Sequence, residues 1–122
     1  MGILSIKQSY LVMFHLLDKI WEKSKIDDLG GLLGSLNPYL FNNGESADPA
    51  AYEDWNNIIG KLHLSPPFSE REVLIITYEF LNQYVKDYGF NIDSVLEKIR
   101  DMLILDDIYL VRLCSSEVLN RN

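Results

Sequence analysis

Side chains with the potential for catalysis or metal binding are few in this sequence and lie far apart. Cys114 is the only cysteine, and the two histidines are His15 and His63. Cys114 stands in an apolar run with no evident base beside it, which is typical of a buried, unreactive thiol. His15 and Asp18 share one face of a predicted helix, where a surface ion pair is expected because two ligands without a third make a poor metal site. We therefore expect neither a nucleophile nor a metal centre.

A glycine-rich segment, residues 30–35, has some likeness to a phosphate-binding loop. It contains Gly30, Gly31 and Gly34, but no lysine precedes Ser35 and no predicted strand precedes the segment. Phosphate-binding loops need both features to hold their ligand. Close packing of a helix against the glycines is the better interpretation, since each glycine costs a helix roughly 1 kcal/mol relative to alanine. We expect no bound cofactor.

Pairs of adjacent carboxylates are the remaining groups with catalytic potential. Two carboxylates can perform acid–base chemistry when their surroundings push their pKa values apart. Each pair in this chain lies at or near the start of a predicted helix, where the helix dipole favours negative charge, so capping and solvation account for it. Without a nucleophile, a base and a group to orient them, the chain is not expected to be an enzyme. The pairs are Asp27-Asp28, Glu53-Asp54 and Asp106-Asp107.

Aromatic residues follow the long loop between the second and third predicted helices. Tyr52 and Trp55 lie on the third helix at helical spacing. Tyrosine and tryptophan are frequent hot spots of protein interfaces, but they also dominate protein cores, and the sequence leaves both roles open. Trp55 is expected to be at least half buried, packing with Tyr52 or Ile59 and anchoring the loop 37–47.

Five acids belong to the first parts of these same two helices and indicate a binding surface. If the two helix starts lie side by side, the carboxylates form one negative patch flanked by Tyr52, which suits a basic partner. The competing interpretation is that each acid only caps or solvates its own helix. The candidate partner-binding residues are Asp27, Asp28, Asp48, Tyr52, Glu53, Asp54 and Trp55.

Helical spacing of apolar residues dominates the chain. It predicts an all-α fold, a compact array of five or six helices built from helix hairpins. Two of these helices begin with capping boxes, Ser5 to Gln8 and Ser69 to Glu72, in which each residue accepts a hydrogen bond from the other's backbone amide. Gly89 is well placed to end the second of them.

The bounds of the second and third helices follow from shorter patterns. Asp27 or Asp28 is expected to cap the second helix through a side-chain hydrogen bond. The third helix is expected to have Asp48 as its cap and Pro49 as its first residue, and to stop at Gly60.

Two helices are predicted in the last third of the chain. Asn91 or Asp93 is expected to cap the first of them. The apolar run 108–114 is short enough to be either a strand or a helix. A helix is favoured for it, because no partner strand is evident elsewhere in the sequence.

Length and charge restrict the class of protein. The chain has 122 residues, enough for one domain, and residues 1–122 are expected to form a single helical domain. The formal net charge of −7 disfavours nucleic acid and anionic membranes as partners and suits a basic protein. The longest nearly apolar stretch, residues 10–17, is far too short to span a bilayer, and no secretory leader is evident. Together with the single cysteine, these features predict a cytoplasmic protein.

Two segments in the first half of the chain resemble a group of small bacterial proteins of unknown function. The segments are residues 27–35, DDLGGLLGS, and residues 48–55, DPAAYEDW. Some members of this group are similar to immunity proteins of polymorphic-toxin or contact-dependent inhibition systems. The resemblance covers the first three predicted helices and implies a small acidic protein that neutralises a toxin by binding it, without catalytic residues. Tyr52 stands where a tryptophan is expected in relatives.

Together these features predict a non-enzymatic binding protein, specifically an immunity protein that blocks a cognate bacterial toxin. Such a protein gains association rate from complementary charge and affinity from a few buried aromatic anchors. The alternative is a generic helical adaptor or homodimer subunit with no toxin partner, which should expose an apolar patch.

Overall fold

The computed structural model describes residues 2–38 and 49–120 and is built from α-helices. The one extended pairing within these ranges is an isolated antiparallel bridge between Leu4 and Phe68. The predicted all-α array of five or six helices is confirmed, and the run 108–114 contributes to a helix. The six helices are α1 (Ile6–Ser24), α2 (Asp27–Leu36), α3 (Pro49–Lys61), α4 (Glu70–Tyr88), α5 (Asp93–Ile104) and α6 (Tyr109–Leu119).

Both predicted capping boxes are present and start the two longest of these helices. The Ser5 hydroxyl accepts a hydrogen bond from the Gln8 amide at 3.1 Å, and the Gln8 side chain accepts one from the Ser5 amide at 2.9 Å. Ser69 and Glu72 repeat the arrangement at the start of α4. Gly89 ends α4 with φ +70°, a left-handed conformation that glycine adopts without steric cost.

The predicted side-chain caps of α2 and α5 are wrong. These helices begin after Ile26 and Ile92, and neither cap residue has a side-chain hydrogen bond. The Asp28 carboxylate instead accepts a hydrogen bond from the backbone amide of Asn91. Gly60 is also not the end of α3, because the helix continues through Lys61.

α1 is the central helix of the array. It packs against α2, α3, α4 and α6, while α5 packs mainly against α4. Its buried side chains therefore cover more than one face, including Tyr10, Val12, Leu16 and Ile20. Helices that follow one another in the chain also pack together, most extensively as α4–α5, α1–α2 and α3–α4, in line with the predicted array built from helix hairpins. No helix in the described ranges is long and apolar enough to cross a bilayer.

Trp55 lies at the centre of this core, fully buried, and confirms the prediction of at least half burial. Its ring makes edge-on contacts with Tyr10 and Phe80, at centroid distances of 5.9 and 5.4 Å. Its indole N–H donates a hydrogen bond to the hydroxyl of Ser9, which is also buried. Residues 39–47, most of the loop that Trp55 was expected to anchor, lie outside the described ranges.

Close helix packing is confirmed at one of the three glycines of α2. A methyl group added at Gly30 would lie 2.7 Å from Nε1 of Trp21, so the absence of a side chain lets the indole of α1 pack onto α2. Gly31 and Gly34 have nothing within 4 Å of such a group, and the packing interpretation is wrong for them.

Candidate partner-binding surface

The one cysteine of the chain is enclosed in the core. Cys114 is fully buried on α6, and burial raises the pKa of its thiol to about 12. The thiol is therefore protonated and inert at neutral pH. Within the described ranges no three histidine, cysteine or acidic side chains are grouped so that they could hold a metal ion.

His15 has a different ion-pair partner from the one expected. Its imidazole is buried where α1 packs against α6, and its Nδ1 lies 3.7 Å from a carboxylate oxygen of Glu117. The other Glu117 oxygen is 2.8 Å from the Lys19 ammonium. The predicted surface pair of His15 with Asp18 is thus replaced by a contact between helices, which ties α1 to α6.

Two of the predicted acids accept hydrogen bonds from residues in the last turns of α4 or just beyond its end. Asp54 of α3 accepts a hydrogen bond from the Tyr84 hydroxyl at 3.3 Å. Asp28 of α2 accepts one from the amide of Asn91, just beyond the end of α4. The consecutive helices α2 and α3 therefore each direct a carboxylate to this end of α4, to donors that lie 63 and 30 residues further along the chain.

Tyr84 holds the Asp54 carboxylate in place. Burial and the negative charge of Asp54 raise the pKa of the Tyr84 hydroxyl far above its ordinary value. The hydroxyl is therefore protonated at neutral pH and can donate its hydrogen bond to Asp54. A fixed carboxylate loses less conformational entropy when a partner binds than a freely rotating one does.

Aromatic rings lie beside these acids. The Tyr84 ring packs on Tyr88 at 5.2 Å and on Phe90 at 6.3 Å between centroids. Tyr84 is buried and Phe90 partly buried, but Tyr88 is 64% exposed, which is unusual for a large aromatic side chain in contact with a core. We call this group the α4-end surface; it consists of Asp28, Asp54, Tyr84, Tyr88 and Phe90.

The other predicted site residues lie elsewhere. Asp27 is exposed in the first turn of α2. Glu53 is exposed on the outward side of α3, about 160° around the helix from the buried Trp55. Tyr52 packs edge-on against Tyr10 at 5.4 Å, and on α3 it flanks the buried face on the side opposite Asp54. It therefore does not flank the two acids as expected.

Trp55 and Asp48 take no part in the described surface. Trp55 belongs to the core and offers nothing for a partner to contact in this conformation. Asp48 lies outside the described ranges, so both its capping role and its place in the patch stay predictions.

The sequence analysis missed the aromatic residues of the α4-end surface. Tyr84 and Tyr88 lie on the apolar stripe of α4, and nothing local distinguishes a tyrosine that is buried from one at the exposed end of the stripe. The nearest indication was the adjacent Gly89, since a residue just before a helix stop is less enclosed by neighbouring helices than one at the middle.

A second exposed feature is an apolar strip around the turn between α5 and α6. Its members are 41% to 74% exposed, whereas most apolar side chains of the described chain are buried. Tyr109 and Leu113 are one turn apart on α6. The apolar strip consists of Ile104, Leu105, Tyr109 and Leu113.

Comparison with family models, with curated proteins and with solved structures found no match to this chain.

Proposed function

We propose that this chain is a non-enzymatic binding protein that docks a basic partner protein on its α4-end surface. The observation that supports this most is that Asp28 and Asp54, from separate helices, both bond with residues at the end of α4 where the ring of Tyr88 is exposed. Carboxylates and an aromatic face are the groups that receive an arginine side chain, through charge-assisted hydrogen bonds and a cation–π contact.

The exposed ring of Tyr88 is held by buried aromatic rings, as is typical of a binding hot spot. Tyr88 packs on Tyr84, Tyr84 on Phe80 at 4.8 Å, and Phe80 on the buried Trp55. The exposed ring is therefore the end of a chain of aromatic contacts that starts in the core. A ring held in this way loses little freedom on binding, which is why rigid tyrosines are efficient anchors.

The partner that fits best is a cationic toxin, in line with the resemblance to immunity proteins. Blocking a toxin requires fast, tight binding and no chemistry, and the net charge of −7 attracts a cationic protein over a distance. The surface then supplies local contacts to arginine or lysine side chains of that protein.

The test is binding to the protein encoded immediately upstream of this chain, measured by isothermal titration calorimetry. Tyr88→Ala should weaken binding by about 2 kcal/mol, the size of a hot-spot truncation. Tyr109→Ala is the matched control, because Tyr109 is 70% exposed but belongs to the apolar strip. It should leave the affinity unchanged.

Growth of cells that produce the upstream protein provides the functional arm of the same test. Co-expression of this chain should restore growth, and Tyr88→Ala should restore it less. If the two purified proteins do not bind, or if both tyrosine variants bind as well as the unchanged chain, the proposal is wrong.

A homodimer subunit is the second candidate, and the apolar strip favours it. Its four exposed side chains form an apolar surface on the order of a few hundred Å², the size of patch that often marks an interaction site. A homodimer of standard size buries about 800 Å² per copy, so the strip could form the centre of such an interface with its charged neighbours as the rim. Light scattering after gel filtration measures the molar mass and tests this candidate. A dimer that Leu105→Glu converts to a monomer supports it. A chain that is monomeric at high protein concentration contradicts it.

A further inference from the structure

α1, α5 and α6 border a cleft of about 380 Å³. The cleft exists because α5 packs mainly on α4, whereas α6 packs on α1 and α4, so that α5 and α6 share little direct contact. Its volume falls in the range of small-molecule sites, about 300–1,000 Å³.

The lining combines an apolar part with basic side chains. Ile20 of α1 is buried, and Leu110 of α6 is partly buried against the core. Around them lie the side chains of three lysines, while Glu22 is the only acid among the lining residues. This composition is the reverse of the chain as a whole, whose net charge is −7. The lysines are Lys19, Lys23 and Lys98.

The three ammonium groups differ in their pairing. Lys19 is bonded to Glu117 at 2.8 Å, and this bond raises its pKa. Lys23 and Lys98 are exposed and have no ion-pair partner within the described part of the chain. Lys23 lies in the last turn of α1, where the helix dipole favours a cation. That effect does not account for Lys98, which reaches the same cleft from the middle of α5.

Lys23 and Lys98 offer unpaired ammonium groups from two different helices that border one cleft, and an anion in the cleft would attract both. A phosphate monoester suits them, because it carries about −1.5 to −2 charges at neutral pH and offers three acceptor oxygens. An apolar group attached to the phosphate would cover Ile20 and Leu110.

We propose that this cleft binds a phosphate monoester with a short apolar group. The phosphate lies between Lys23 and Lys98, and the apolar group contacts Ile20 and Leu110. This binding is separate from the docking of a partner protein on the α4-end surface, and neither activity depends on the other.

The test is a titration of the isotope-labelled chain with hexyl phosphate, followed by NMR. The amide signals of Ile20, Ser24 and Leu110 should shift and saturate. Inorganic phosphate, which lacks the apolar group, and hexanol, which lacks the charge, should each bind at least about tenfold more weakly, since each loses one of the two kinds of contact.

A pair of double variants locates the site. Lys23→Gln/Lys98→Gln should weaken the binding of hexyl phosphate by about tenfold or more, because both charge-assisted contacts are lost. Lys7→Gln/Lys86→Gln makes the same change in net charge at exposed lysines outside the cleft and should leave the affinity within about twofold, since distant exposed charges are screened. Lys98→Arg keeps the charge and should retain most of the binding.

Three results would overturn the proposal. One is the absence of a saturable shift at the cleft amides in the unchanged chain. Another is equal loss of affinity in the two double variants, which would make the effect one of overall charge. The last is equal binding of hexanol, which would mean that the lysines contribute nothing. Circular dichroism spectra and unfolding temperatures of all variants, which change only exposed side chains, should match those of the unchanged chain.

Discussion

At the scale of single residues, the burial of aromatic and acidic side chains separates structural from binding roles. Asp54 and Trp55 are neighbours in the sequence, yet Trp55 is enclosed in the core while Asp54 bonds with Tyr84 at the edge of the α4-end surface. Both were candidate partner-binding residues. Their different positions follow from the helical rotation of about 100° between consecutive residues.

Replacement of Trp55 tests its structural role. Trp55→Ala should lower the free energy of unfolding by about 3–5 kcal/mol, because it removes a buried indole and leaves a cavity. Trp55→Phe should cost less, since it keeps a ring between Tyr10 and Phe80 but loses the hydrogen bond to Ser9. Urea denaturation followed by circular dichroism measures both values. If Trp55→Ala lowered the free energy of unfolding by only a few tenths of a kcal/mol, the residue would have to be exposed.

Cys114 should be chemically silent in the folded protein. Burial raises its pKa to about 12, so the thiol is protonated at pH 8, whereas an unfolded cysteine with a pKa near 8.5 is partly ionised. Its reaction with a disulfide reagent at pH 8 should therefore be limited by unfolding and accelerate in urea. A Tyr109→Cys/Cys114→Ser variant, with its thiol at an exposed position, should react at once.

The same shift has a consequence for stability. The pKa of the Cys114 thiol is higher in the folded than in the unfolded state. Its contribution to the free energy of unfolding is therefore complete below the unfolded pKa. This contribution is lost as the pH rises toward 12, because the unfolded chain ionises first. Rapid labelling of Cys114 at pH 8 without denaturant would contradict its burial.

At the scale of helices, the sequence predicted best where the determinants are local. The capping boxes at Ser5 and Ser69 place the starts of α1 and α4 correctly, because both partners of each hydrogen bond lie within four residues. The starts of α2 and α5 depend instead on burial. Ile92 is fully buried and Ile26 is packed against the core. Tertiary contacts therefore stabilise these helix starts without a polar cap. Such contacts involve partners that the local sequence does not contain.

The candidate site, too, was predicted where its determinants are local and missed where they depend on tertiary contacts. Asp28 and Asp54 were selected from the sequence, but their common position at the end of α4 depends on contacts with Tyr84 and Asn91, which are 30 and 63 residues away. That position depends on the packing of α2 and α3 in the folded chain, which no local pattern contains. For the same reason the exposure of Tyr88 could not be derived from the pattern of α4 alone.

The glycines of α2 offer a matched test of helix packing. Gly34→Ala should raise the free energy of unfolding by about 0.5–1 kcal/mol, because alanine favours the helix and meets no atom at this position. Gly30→Ala should lose that gain or become destabilising, since its methyl group would meet the Trp21 indole at 2.7 Å. Thermal or urea unfolding measures the difference. Equal stabilisation by both substitutions would show that Trp21 does not pack against Gly30.

At the scale of the whole molecule, charge and apolar surface are distributed unevenly. The chain carries a net charge of −7, yet one cleft is bordered by three lysines. Two acids bond with residues at the end of α4, where Tyr88 is exposed, and the members of the apolar strip lie on either side of the turn between α5 and α6. Such distinct exposed surfaces are typical of proteins that bind partners.

The central proposal is that the α4-end surface receives a basic protein, and the association rate tests it most directly. The variant Asp28→Asn/Asp54→Asn keeps an acceptor oxygen for Asn91 and for Tyr84, so the fold should be preserved while two charges are lost. The control Glu97→Gln/Asp101→Asn removes two charges from exposed positions on α5.

The decisive measurement is stopped-flow association with the protein encoded immediately upstream, at low and high salt. The surface variant should associate about fivefold or more slowly at low salt, and the difference should shrink at high salt because exposed charges are screened over about 10 Å at 0.1 M. The control should differ little from the unchanged chain. If the surface variant associates as fast as the control at both salt concentrations, Asp28 and Asp54 serve only the fold, and the α4-end surface is not the docking site.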